Sequence, residues 1–125
     1  MNNLSEDTDF KEFIKIINTN KLIILDFYAD WCNPCIKLTP YLVKLANKYK
    51  KAIFYKINIE NNEDIAQQFD ITCMPTIIFL KNKSILDKLN IDNLENSDND
   101  DDYYVLDKIE GLDIDKIIKC IEKHI

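Results

Sequence analysis

The chain has 125 residues, 46% hydrophobic and 30% charged, the size and balance of one globular domain that folds without metal or structural disulfides. Its net charge is −6, all 16 basic residues are Lys, and it holds a single glycine, which disfavours nucleic acid, bidentate guanidinium recognition and glycine-rich phosphate cradles. No apolar run approaches the ~20 residues that span a bilayer, and the N-terminus has neither basic nor apolar signal character, so a cytoplasmic, reducing location and no membrane partner are expected.

Taken in order, Asp9 to Glu12 have the spacing of a capping box, and Phe10, Phe13, Ile14 and Ile17 follow at helical period, predicting a short amphipathic helix. Leu22–Tyr28 is nearly continuous apolar sequence, the pattern of a central strand covered on both faces. Asp26 is the anomaly within it. A buried carboxyl is costly unless paired and its pKa rises, so Asp26 is either a hydrogen-bonded structural group or one that exchanges protons with a nearby thiol.

The stretch Trp31-Cys32-Asn33-Pro34-Cys35 follows that strand and starts a second helical pattern. The four cysteines, Cys32, Cys35, Cys73 and Cys120, include only this close pair, and such a pair in a reducing compartment means redox chemistry or a metal. A cysteine at a helix N-terminus faces unpaired N–H groups and the positive end of the dipole, which favours its thiolate. Cys32 is therefore the candidate nucleophile. Cys35, one turn on, is the candidate resolving thiol that attacks a mixed disulfide formed at Cys32.

Leu38, Tyr41, Leu42, Leu45, Ala46 and Tyr49 continue the helical period, with Pro40 inside it as an expected kink. Ile53–Ile59 reads as a strand, then Asn61 or Asn62 as the cap of a short helix with Ile65, Ala66 and Phe69. Lys56 in that strand either snorkels to solvent or partners Asp26. Ile71-Thr72-Cys73-Met74-Pro75-Thr76 leads into the strand Ile77–Leu80, and Pro75 marks an edge or a turn.

Strand, Trp-Cys-x-Pro-Cys, kinked helix, strand, helix, Met-Pro-Thr and strand in this order resemble the thioredoxin family over about residues 8–81 and 104–125, with Asp26, Trp31, Cys32, Pro34, Cys35, Pro40, Lys56, Pro75, Thr76 and Gly111 at matching positions. The resemblance implies an α/β thioredoxin fold with a central mixed sheet and helices on both faces. It implies a protein-disulfide reductase in which Cys32 attacks, Cys35 resolves, Asp26 and Lys56 handle protons, and Pro75 is cis beside the Cys32–Cys35 disulfide. Trp31, Asn33, Pro34, Cys73, Met74, Pro75, Thr76 and Gly111 would contact substrate. The implied partners are disulfide-containing proteins and a thioredoxin reductase-type electron donor, with no cofactor or metal, for a monomer able to link through Cys73 on oxidation. Asn33 replaces the family's usual glycine. Pro34 without a histidine between the cysteines suggests a potential nearer about −270 than −180 mV.

The segment 90–102 departs from the family pattern with six acids, Asp92, Glu95, Asp98, Asp100, Asp101 and Asp102, and no lysine. Low hydrophobicity and concentrated charge predict a flexible insertion within the single domain 1–125, between the last two family strands and at the pole away from the cysteines. An EF-hand is rejected because Tyr103 and Ile109 stand where glycine and glutamate are required. Both flanks, Ile85–Ile91 and Tyr103–Ile109, have strand character, and counting back from Gly111 selects the second. Asp113 then caps a last helix with Ile114, Ile117, Ile118, Ile121 and Ile125 on one stripe, leaving His124 on the surface and Cys120 as an inert half-buried thiol. The rival readings are a metal site joining Cys73 to the pair, and a redox-inactive docking module of the same fold.

Overall fold

The structure, a computed structural model, describes residues 1–4, 8–83 and 103–125. Among the described residues the sheet has five strands in the order β1 (Asn2–Asn3), β3 (Ala52–Asn58), β2 (Leu22–Tyr28), β4 (Thr76–Asn82) and β5 (Tyr103–Glu110). β3 runs parallel to β1 and β2, whereas β4 is antiparallel to β2 and β5, which makes the sheet mixed. The helices among the described residues are α1 (Phe10–Ile16), α2 (Asn33–Lys48), α3 (Glu63–Gln68) and α4 (Ile114–His124). β1 was not foreseen, because two asparagines carry no hydrophobic alternation; it pairs with Tyr55 and Lys56 of β3.

Alternation along β2 divides the interior in two. Ile23, Leu25 and Phe27 pack with Phe13 of α1 and Ile65 of α3, while Leu22 and Ile24 pack with Leu38, Leu42 and Leu45 of α2 and Ile117 and Ile121 of α4. Both faces are therefore covered, as the nearly continuous apolar run of β2 requires. Asp26 has the parity of Leu22 and Ile24 and belongs to the face beneath α2.

The capping expectations are met in part. Asp9 Oδ1 accepts from the Glu12 N–H at 2.8 Å and Asp113 Oδ1 from that of Lys116 at 3.1 Å, so both residues cap their helices. Asn62 occupies the N-cap position of α3 without a side-chain cap bond. Its amide instead accepts from the Thr8 N–H and donates to the Asn58 carbonyl, tying α3 to the end of β3. Pro40 lies inside a helix that continues to Lys48.

Tyr103–Glu110 is the last strand, as counting from Gly111 predicts, and a register shift opposite Phe79 and Leu80 interrupts its pairing. The acidic insertion 90–102 and the apolar run 85–91 lie outside the described residues. Asn82 and Tyr103, on either side of that stretch, pair at the end of β4 and β5 far from Thr76 and Glu110. His124 corrects the expectation of a free surface residue: its side chain is 15% exposed, and Nε2 lies 2.8 Å from Asp107 Oδ2. Burial alone would raise the Asp107 pKa, but hydrogen bonds from His124 and Cys120, with the charges of His124 and Lys123, lower it. Burial pushes the Cys120 thiol up and Asp107 pushes it further, in keeping with an inert cysteine.

Candidate active site

β2 ends at Tyr28, and the chain turns into α2 within a few residues, the Cys32 N–H bonding the Ala29 carbonyl at 3.1 Å. Cys32 is the N-cap of α2, with an extended backbone, and its Sγ accepts from the Cys35 N–H at 3.2 Å. Asn33 and Pro34 fill the next two positions, where a missing proline N–H leaves no intrahelical bond unmade. Cys32 and Cys35 are joined by a disulfide with Cα atoms 5.3 Å apart. The cystine packs with Ala29 and against Tyr28, Ile59 and Met74, and Ile59 also packs against the core of Phe13 and Ile65. Asn33 and Pro34 are exposed beside it.

Asp26, on the face of β2 beneath α2, is 2% exposed, and neither carboxyl oxygen has a hydrogen-bond partner. Burial raises its pKa from 3.8 to about 7, against the opposing charge of Lys56. β2 and β3 pair Asp26 with Lys56, so both project from the same face. Lys56 neither snorkels free nor bonds the carboxyl: its Nζ sits 4.3 Å from the centroid of the Tyr28 ring, a cation–π contact that keeps the charge close to Asp26 without a direct bond.

The loop before β4 forms the opposite wall. The Met74–Pro75 peptide is cis, and the Pro75 carbonyl accepts from the Gly111 N–H at 2.8 Å, tying the loop to the end of β5. Thr76, expected to touch substrate, is instead fully buried, its hydroxyl donating to the Cys73 carbonyl at 2.7 Å, so its side chain shapes the loop from below. Gly111 has φ +93°, and a Cβ there would meet nothing within 4 Å. Its glycine is required by backbone conformation alone. Gly111→Ala is expected to destabilise by about 1–2 kcal/mol, read as a lower urea midpoint at unchanged m-value.

Trp31 is 66% exposed, and its indole N–H donates to Glu60 Oε1 at 3.0 Å. Glu60 was not singled out in the sequence, nor were Tyr28, Asn58, Ile59 and Glu110. A signal was available. Parallel strands present their carboxyl ends together, and the register pairing Tyr28 with Asn58 brings the residues after β2 and β3 side by side. Glu60 is held there by its own N–H, which donates to Asn58 Oδ1 at 2.9 Å. Cys73 is half-buried, its thiol donating to Glu110 Oε2 at 2.7 Å. Among the described residues no three His, Cys, Asp or Glu are grouped as a metal site, and no helix is long and apolar enough to cross a membrane.

The family model described as Thioredoxin matches residues 3–100. Thioredoxin-T of Drosophila melanogaster is 34% identical over 110 residues, covering 87% of this chain but only 57% of that protein. Thioredoxin-1 of Caenorhabditis elegans is 40% identical over 82 residues, covering 66% of this chain and 70% of that protein. Among solved structures, Fasciola hepatica thioredoxin superposes with a TM-score of 0.78 at 27% identity, covering 100% of both chains.

Proposed function

Because the chain belongs to the thioredoxin family, we propose that it reduces protein disulfides by dithiol–disulfide exchange through Cys32 and Cys35. The observation that carries this reading is the bonded pair at the head of α2, preceded on β2 by an unpartnered buried carboxyl.

In the reduced protein the Cys35 N–H and the α2 terminus stabilise a thiolate on Cys32. That thiolate attacks a substrate disulfide, one substrate sulfur leaves as a thiolate and takes a proton from solvent, and the other stays bonded to Cys32. Asp26, about half ionised near pH 7, accepts the proton of Cys35. The Cys35 thiolate then attacks Cys32 Sγ, expels the second substrate thiolate and closes the disulfide. Asp26 returns its proton to solvent, and Lys56 holds positive charge near the carboxyl in its ionised state. Trp31, Asn33, Pro34, Met74 and Pro75 surround the approach to Cys32, and the Gly111 contact braces the loop. Cys73 stands at its edge.

Turnover needs a dithiol or flavoprotein donor of the thioredoxin reductase type to reopen the disulfide, and a reducing compartment such as the cytoplasm suits this cycle. The chain acts as a monomer, with no cofactor of its own. The reading is tested by mixing the reduced chain with insulin and mapping alkylated cysteines. Insulin thiols should appear as Cys32 and Cys35 become a disulfide; insulin reduction without that pair closing would defeat it. Equilibration with glutathione then gives the potential, which places the chain among reductants or oxidants.

A further inference from the structure

Cys73 and Glu110 meet where two turns frame the redox pair. Thr76 lies opposite Glu110 in the β4–β5 pairing, so Glu110 leaves β5 beside the loop that enters β4. The 2.7 Å separation of Cys73 Sγ from Glu110 Oε2 is a direct thiol-to-carboxylate hydrogen bond. The next residue, Met74, packs on the Cys32–Cys35 cluster, which puts a third sulfur at the border of the site. A thiolate there would compete with Cys35 for a mixed disulfide on Cys32, because exchange proceeds from whichever thiolate reaches the sulfur.

We infer that Glu110 is a positioning residue that holds Cys73 as the protonated thiol and so keeps this third sulfur out of exchange. Losing the proton would forfeit the hydrogen bond and set two negative groups in contact. The Cys73 pKa is accordingly raised, first by the Glu110 hydrogen bond, then by burial and the Glu110 charge; the Thr76 hydroxyl at 3.8 Å and the Lys108 charge oppose this and are outweighed. The contact therefore silences the thiol.

The consequence for exchange rests on the reductase reading above, but the contact can be tested without it. In the full chain carrying Cys32→Ser, Cys35→Ser and Cys120→Ser, Cys73 is the one remaining thiol, and its alkylation by iodoacetamide is followed against pH. Glu110→Gln keeps the shape and removes the charge. Alkylation near neutral pH should rise at least about threefold, with the rate profile displaced to lower pH, and Glu110→Lys should displace it further. Circular dichroism confirms that the variants fold. Coincident profiles for Glu110 and Gln in folded proteins would overturn the assignment, and a failed insulin assay with displaced profiles would leave it standing while removing the reductase reading.

Discussion

Serine in place of Cys32 is expected to abolish insulin reduction, a loss of at least about a thousandfold, because a hydroxyl at the α2 N-cap does not ionise near neutral pH and forms no mixed disulfide. Serine in place of Cys35 should leave the first attack intact and stop the second. The protein then accumulates bonded to its substrate through Cys32, visible as a higher-mass band that dithiothreitol removes. The two variants separate the sulfurs by role although both are nearly buried in the oxidised protein, at 5% and 2% exposure. An adduct with Cys32→Ser and none with Cys35→Ser would reverse the assignment.

The second large effect concerns Asp26 and has a definite sign. Its carboxyl has a folded pKa of about 7 against 3.8 ordinarily, so the folded state binds the proton more tightly than the unfolded state. Its contribution is most favourable below pH 3.8 and is lost as pH rises through about 7. A shift of about three units corresponds to the order of 4 kcal/mol. Asp26→Asn, a neutral shape mimic of the protonated acid, should therefore be more stable than the parent by roughly that amount above pH 8 and nearly equal to it at about pH 3.5. Urea titrations of the oxidised proteins across this range give the difference directly. A gap that does not change with pH would show that ionisation is not its source. The same substitution should slow the step that frees Cys35 of its proton by about 10- to 100-fold near pH 7. On the proposed mechanism, Asp26 would lower stability at the same neutral pH at which it aids turnover.

Much of this arrangement was legible in the sequence because it follows from short-range rules. The apolar run of β2, the periodic stripe of α2, the Asp9 and Asp113 caps and the position of Gly111 each depend on local geometry. Asp26 stood out as a carboxyl inside an apolar strand, and burial supplies its chemistry. Other features needed register. Glu60 and Glu110 look like ordinary surface acids until strand pairing brings them to Trp31 and Cys73. The family resemblance implied that Thr76 contacts substrate, whereas as the first residue of β4 it is fully buried. Lys56 was weighed as free or paired with Asp26, and only the fold shows the Tyr28 ring under its ammonium. His124 lies on a charged helix end, and the sequence gives no sign that Asp107 of β5 reaches it.

Trp31 is the one tryptophan of the chain, next in sequence to Cys32 and held by Glu60 at the edge of the cystine. A disulfide quenches indole fluorescence at short range, whereas a dithiol does so far less. Emission excited at the indole band should therefore increase when the pair is reduced and fall when it closes. The chain then carries an intrinsic optical reporter of its own oxidation state, and each half of the exchange cycle can be timed in a stopped-flow instrument without a label.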